Sequence, residues 1–250
     1  MIDTTLVRRK FEQSILSYNA QAIAQQQIAQ HLFRQIEQYA MGCNIKSVLE
    51  VGCGTGFLTK QLCQLDASIY YLNDINLCLE DILNRILRHK VYQFTAGDAE
   101  LQEFPNKLDL IASSSCVQWF KDLPKFLNKV DAHLAEKGLF FFSTFGPDNL
   151  KEIRRLTGNG LNYYSTEQLK AITPTGFEIL FIEEQEIVLN FNSPIEVLRH
   201  LKETGVNGGF CSCWSKGKLM QFIEQYNQLF QQGKQVTLTY HPIYVGLQKR

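Results

Sequence analysis

The stretch Ser47-Val-Leu-Glu-Val-Gly-Cys-Gly-Thr-Gly56, followed by FLTKQLCQL, constrains the fold of this chain more than any other. A short apolar run ends in Gly52, Gly54 and Gly56, and a helical pattern opens directly after them. Glycine lets the backbone turn sharply and approach a ligand without a side chain in the way. Similar apolar runs recur at Ser68–Asn73, Val91–Thr95, Leu108–Ser113 and Leu139–Phe145, each separated from the next by a helical stretch. Short buried runs alternating with helices predict a parallel sheet covered on both faces.

Both ends of the chain depart from that rhythm. From Val7 to Tyr39, apolar residues at Val7, Phe11, Ile15, Tyr18, Ala22, Ile28, Leu32 and Ile36 recur near the helical period, which predicts amphipathic helix with one interruption. Gly176–Leu189 and Gln235–Gln248 read as two longer strands, with the largely helical segment Ser193–Gln232 between them. A connection of roughly forty residues far exceeds the usual two to eight, and its expected use is as a lid over a site. The fold expected is α/β: one domain over 1–250, with a seven-stranded, mostly parallel sheet, an N-terminal helical segment at 1–42 and a helical lid at 193–232.

Composition excludes several functional classes. With 25 basic and 25 acidic residues, the chain has no overall positive field to hold a nucleic-acid backbone. No apolar stretch approaches the roughly 20 residues that span a bilayer, and the charged start MIDTTLVRRKFEQ does not read as a secretory signal. A cytoplasmic, monomeric protein is expected. The seven cysteines are odd in number and scattered, which suits thiols rather than a disulfide framework, and the Cys211/Cys213 pair has no companion at zinc-site spacing. No metal is expected.

The glycine-rich turn predicts a nucleotide-like ligand. A dinucleotide turn of the G-x-G-x-x-G type would have glycine at 57, where Phe57 stands, so G-x-G-x-G behind the acid Glu50 points elsewhere. Asp74, ending the second strand, can accept hydrogen bonds from both hydroxyls of a ribose. Asp98, after the third strand, is placed for an adenine amino group, with the backbone N–H of Ala99 facing the ring.

These residues resemble the class I S-adenosylmethionine-dependent methyltransferases, whose Rossmann-like sheet the predicted element order matches. The resemblance implies S-adenosyl-L-methionine as cofactor, bound by Glu50, Gly52, Cys53, Gly54, Thr55, Gly56, Asp74, Ile75, Asp98, Ala99, Ser113 and Gln25. Tyr18 and Gln25 on the first helical segment, Ser113 with Gln118-Trp119, FSTFGPDNLKEIR (142–154), LKETG (201–205) and LTYHPIYVGL (238–247) are most like the members that esterify the free carboxylate of a malonyl thioester. That likeness implies malonyl-acyl carrier protein, or malonyl-CoA, as partner and the opening of the pimeloyl branch of biotin synthesis as place. Ser114 stands where the pattern has asparagine.

A carboxylate acceptor is ionised at neutral pH and needs no general base, so the enzyme must chiefly align donor and acceptor. It does call for a cation, and Arg154 or Arg155 is the candidate, against a solvated helix face. Tyr18 is a candidate donor to the acceptor or to the cofactor carboxylate, against a core aromatic. Gln118 and Trp119 are expected to wall the acceptor, and His200 and His241 to be structural. Three basic groups are candidates to meet an acidic carrier: Arg8, Arg9 and Lys10; Lys121, Lys125 and Lys129; and Lys202, Lys216 and Lys218 on the lid rim. Other readings are a methyltransferase for another small carboxylate or a quinone precursor, a nicotinamide-dependent oxidoreductase, and a non-enzymatic cofactor-binding module.

Overall fold

The computed structural model describes residues 4–205 and 214–250, without the side chains of Thr4, Leu6, Val7 and Leu16. Two helices open the chain, α1 (Thr4–Gln21) and α2 (Ile23–Ala40), broken at Ala22. Then come β1 (Ser47–Val51), α3 (Phe57–Leu62), β2 (Ile69–Asp74), α4 (Glu80–Leu87), β3 (Tyr92–Ala96), β4 (Leu108–Ser114), α5 (Leu123–His133) and β5 (Leu134–Phe145). After them follow α6 (Lys151–Thr157), α7 (Thr166–Ile172), β6 (Phe177–Glu184), β7 (Ile187–Phe191), α8 (Pro194–Glu203), α9 (Lys216–Phe230), β8 (Gln231–Gln232), β9 (Gln235–Tyr240) and β10 (Pro242–Lys249).

Seven strands form the main sheet in the order β3-β2-β1-β4-β5-β10-β6, parallel except for β10. Its central strands are apolar on both faces. Along β5, Phe141 and Phe145 enter one core with Val48 of β1 and Leu32 of α2, while Phe140 and Phe142 enter the other with Leu49, Val51 and Phe126 of α5. A strand buried on both sides reads as a continuous apolar run, and FFF in β5 is such a run. The carboxylate of Asp109 in β4 accepts from Lys46 N, Ser47 N and Ser47 Oγ at 2.9 to 3.0 Å, which fixes the register of β1 against β4.

The two long C-terminal strands each divide in the structure. β6 and β10 belong to the main sheet, whereas β7 and β9 form a second, three-stranded sheet with β8. One antiparallel register nevertheless runs through the break, from Ile243 opposite Glu184 to Ile187 opposite Tyr240. The ribbon bends where β10 reaches Phe145, the last residue of β5, and Gly146 N turns to the His241 carbonyl. Alternating β-branched residues continue through the bend, so the sequence reads as one strand on each side.

The helical insertion begins after β7 and ends before β8. Helix α8 buries Val197, His200 and Leu201 and packs on α1, and α9 packs on α6 and β9. Ser17 of α1 donates to the Glu203 carbonyl at 3.0 Å. Residues 206–213 of this segment, with Cys211 and Cys213, lie outside the described residues; Cys43, Cys53, Cys63, Cys78 and Cys116 are free thiols. Among the described residues no helix is long and apolar enough to cross a membrane.

Gly246 shows how tightly the sheet face is filled. A Cβ there would stand 2.3 Å from Phe181 Cε1 and 3.0 Å from Phe141 Cε1. Gly246→Ala is expected to destabilise the fold by about 1–3 kcal/mol through overpacking, read as a lower urea midpoint with an unchanged slope; an unshifted midpoint would show that the two rings yield freely.

Candidate active site

The parallel strands β1, β2, β3 and β4 end at one edge of the sheet, where open α/β sheets take ligands. A cleft of about 900 Å³ lies there. Its floor is the turn after β1, with Gly52, Gly54 and Thr55; Asn73, Asp74, Ile75 and Asn76 line one side and Gly97, Asp98, Ala99 and Glu100 another. Ser114, Ser115, Cys116, Trp119 and Phe120 follow from the end of β4. The remaining wall comes from α1, whose Phe11, Ile15 and Tyr18 close over the turn.

Asp74 organises this floor. One carboxylate oxygen accepts Gly54 N at 2.9 Å and the other accepts Asn76 N at 2.9 Å. Burial pushes its pKa up, and the backbone N–H groups of Asn76, Gly54 and Ile75 oppose that shift. Gly54 sits at φ +51° with nothing within 4 Å of where a Cβ would be, so it presents bare backbone to the cleft. Gly52 serves a different need: a Cβ would meet Cys116 Sγ at 2.2 Å, so the glycine allows the turn after β4 to close against the turn after β1. Glu50 is buried behind the floor and accepts from Thr59 Oγ1 at 2.6 Å. Burial, opposed by the Thr59 hydrogen bond, pushes its pKa up to about 8.

A second, smaller pocket of about 320 Å³ adjoins the cleft and shares Phe11, Tyr18, Ser115 and Trp119 with it. Gln25, Gln118, Phe145, Asn149 and Tyr163 complete its lining. Tyr18 thus stands at the junction, stacked on Phe57 with ring centroids 5.8 Å apart, and burial pushes its phenol up in pKa, so it remains a proton donor. Four buried polar atoms around this pocket lack a hydrogen-bond partner: Gln25 Oε1, Ser115 Oγ, Gln118 Oε1 and Trp119 Nε1. A buried unpaired polar atom costs about 1–3 kcal/mol, so four at one place mark a site built for something polar.

Of the residues singled out by sequence, the structure gathers Tyr18, Gly52, Gly54, Thr55, Asp74, Ile75, Asp98, Ala99 and Trp119 around the cleft. Others lie elsewhere. Ser113 is wholly buried and donates to the Val51 carbonyl at 2.9 Å, while its neighbour Ser114 lines the cleft. Glu50, Cys53 and Gly56 are behind the floor and absent from its lining; a Cβ on Gly56 would meet Ile86 of α4 at 2.4 Å. Gln25, expected with the cofactor, lines the smaller pocket.

Neither arginine lines either pocket. Arg154 donates to the Pro147 carbonyl and lies 6.0 Å from the ring centre of Tyr163, which itself lines the smaller pocket, while Arg155 lies over the Phe230 ring of α9. Lys202 is exposed on α8, and no described residue of 193–232 lines either space. The cover over the cleft is α1, with α8 behind it. Lys129, counted with a surface patch, turns inward to the carbonyls of Ala99 and Gln102. Sequence reasoning missed Asn149 and Tyr163, although FSTFGPDNL and the tyrosine pair at 163–164 hold them; Asn149 donates to the Tyr163 hydroxyl at 2.9 Å.

The donor set of the cleft fits an adenosyl group. Asp74 keeps lone pairs for a ribose diol after its two backbone hydrogen bonds, Asp98 stands at the cleft with Ala99, and the bare backbone at Gly54 leaves room for close approach. Asp74, Asp98 and Glu100 are the charged residues among the described residues of the lining, an acidic set that suits a cationic ligand. A family model described as methyltransferase domain matches residues 19–181.

The chain belongs to the methyltransferase family. This methyltransferase is 39% identical to the malonyl-[acyl-carrier protein] O-methyltransferase of Bacteroides thetaiotaomicron, across 100% of the chain and 99% of the relative. It is 36% identical to the enzyme of the same name from Chlorobium luteolum, across 100% of the chain and 97% of that relative. Among solved structures, the N-methyltransferase NodS of Bradyrhizobium japonicum, crystallised with S-adenosylhomocysteine, superposes with a TM-score of 0.59 at 12% identity, over 97% of this chain and 98% of that one. That likeness is one of fold.

The buried acid of the methyltransferase makes its stability depend on pH. Between the unfolded value near 4.5 and the folded value of about 8, native Glu50 holds a proton that the unfolded chain has released. Stability from this group is therefore complete below the unfolded pKa and falls as pH rises through the folded one, by at most about 1.4 kcal/mol per pH unit. Glu50→Gln removes that slope, so the stability of the wild type relative to the variant should fall from pH 5 to pH 8 in urea titrations; parallel profiles would contradict a protonated Glu50.

Proposed function

We propose that this methyltransferase transfers the methyl group of S-adenosylmethionine to the free carboxylate of a malonyl group carried as a thioester on acyl carrier protein, the esterification that opens the pimeloyl branch of biotin synthesis. The observation that carries the reading is the pair of adjoining spaces joined at Tyr18, one acidic and backbone-lined, the other neutral and rich in unpartnered polar atoms. The full-length likeness to malonyl-[acyl-carrier protein] O-methyltransferases supplies the acceptor.

S-adenosylmethionine supplies an electrophilic methyl group on a positively charged sulfur. Asp74 and Asp98 would hold its nucleoside, the turn at Gly52–Gly54 would let it lie close to the backbone, and α1 would exclude water from above through Phe11, Ile15 and Tyr18. On the acceptor side, the Trp119 indole N–H, the Ser115 hydroxyl and the Tyr18 phenol are neutral donors for a carboxylate or a thioester carbonyl. No general base is required, because a carboxylate is already ionised at neutral pH.

The neutrality of that pocket has a chemical consequence. Attack of a carboxylate on a sulfonium methyl consumes both charges, so the transition state is less charged than the reactants. A guanidinium clamped to the carboxylate would stabilise the ground state more than the transition state and would slow the step. Arg154, packed on Tyr163, and Arg155, packed on Phe230, both stay out of the pocket lining, which avoids that loss. Arg154→Ala is therefore expected to act weakly on the acceptor's KM.

The experiment is transfer of labelled methyl from S-adenosylmethionine to malonyl-acyl carrier protein, with product identified as the methyl ester by its sensitivity to esterase. Asp74→Ala should weaken cofactor binding about tenfold or more, read by calorimetry, since two ribose hydrogen bonds are lost at about 0.5–1.5 kcal/mol each. Methyl transfer to a quinone precursor or another small acid, and none to the malonyl thioester, would replace this acceptor with that one.

A further inference from the structure

The smaller pocket contains more acceptor oxygen than a malonyl group can use. Gln25 and Gln118 each leave Oε1 buried and unpartnered, and a carboxylate or thioester carbonyl, which only accepts, cannot satisfy either. The orientation of the Gln118 amide is fixed by its other end. Gln118 Nε2 donates to the Ser115 carbonyl at 2.6 Å, so a flip would set oxygen against oxygen. Gln25 lines the same pocket from α2 with its Oε1 buried and unpartnered.

We infer that Gln25 and Gln118 form an acceptor pair that reads amide N–H groups on the arm bearing the malonyl thioester. The inference rests on the proposed malonyl acceptor. A pantetheine-type arm fits the chemistry: it carries an amide N–H two carbons from the thioester sulfur and a second amide beyond it. The malonyl end uses the donors Trp119 Nε1 and Ser115 Oγ, and the arm uses the two glutamine oxygens, so all four unpartnered atoms find complementary partners. A simple alkyl thioester would leave the glutamine oxygens buried and unpaired, the situation in which polar sites discriminate most strongly.

The test compares kcat/KM of the full chain for malonyl-acyl carrier protein, malonyl-pantetheine, malonyl-N-acetylcysteamine and the malonyl thioester of butanethiol, which has no amide. Activity with the carrier protein establishes the acceptor independently of the inference. The butyl thioester is expected to be at least about tenfold poorer than the amide-bearing small thioesters, and Gln118→Leu should shrink that ratio by lowering kcat/KM more for the amide-bearing thioesters than for the butyl one. Gln25→Glu, which keeps an acceptor oxygen, should preserve more of the ratio than Gln25→Leu. Equal rates for amide-bearing and butyl thioesters in the wild type, with the carrier-bound substrate active, would overturn the inference and leave the malonyl reading intact. No methyl transfer to any malonyl thioester would overturn both.

Discussion

The hydrogen bond from Gly54 N to the Asp74 carboxylate, 2.9 Å long, joins the turn after β1 to the end of β2. A glycine at φ +51° with no side chain has many conformations in the unfolded chain, and a buried acceptor is what selects one of them. With its second oxygen on Asn76 N, Asp74 also sets the path of the chain leaving β2. The same carboxylate is then presented to the cleft with its remaining lone pairs. Its burial opposes ionisation while the backbone N–H groups restore it, so its negative charge depends on the loops it holds.

Around that floor, the covering of the site is assembled from distant parts of the chain. Helix α1 closes the cleft, and α8, from the far end of the sequence, supports it through the Ser17 hydrogen bond to the Glu203 carbonyl. Gly205, at φ +69°, lies where a Cβ would be 3.0 Å from Ser14 Oγ and 3.4 Å from Phe11 Cδ1. Its lack of a side chain lets the end of α8 approach α1. Helix α8 of the insertion thus contacts the cover of the cleft rather than the cleft lining. The bent ribbon makes this possible, since β7 and β9 carry α8 and α9 out of the main sheet without a change of register.

The strands, their order of appearance and the glycine turn were legible because local pattern determines them. Val48–Val51 and Phe140–Phe142 are buried on both faces and could not be mistaken for amphipathic elements. The bend at 185 and 241 was not legible, because alternation persists across it and the cause is the end of β5, a partner far away in sequence. Ser113, expected with the cofactor, is buried and donates to the Val51 carbonyl while its neighbour Ser114 lines the cleft, a difference of one residue that strand alternation turns into a difference of face. Arg154 and Arg155 satisfied a chemical expectation about carboxylates, yet α6 points one at Tyr163 and the other at Phe230, an orientation set by the packing of α6 against α9. Asn149 and Tyr163 belong to the pocket only because their pairing folds the chain around α6, a contact without a local signal.

Charge then accounts for the division between the two spaces. The chain is neutral overall, but its cleft gathers Asp74, Asp98 and Glu100, and among the described residues the neighbouring pocket is lined by no charged one. An acidic lining favours a ligand that bears positive charge, and a neutral one leaves an anionic acceptor without competition for its charge. In a site of low polarity the two opposite charges attract each other more strongly than they would in water. The strongest partner available to the acceptor carboxylate is then the reacting center itself, so the same neutrality that makes the pocket a poor binding site for free carboxylates makes it a good place to transfer a methyl group to one. Affinity for the acceptor must come from other parts of the substrate, and Gln25 and Gln118 offer buried acceptor oxygens in the same pocket for such parts to meet.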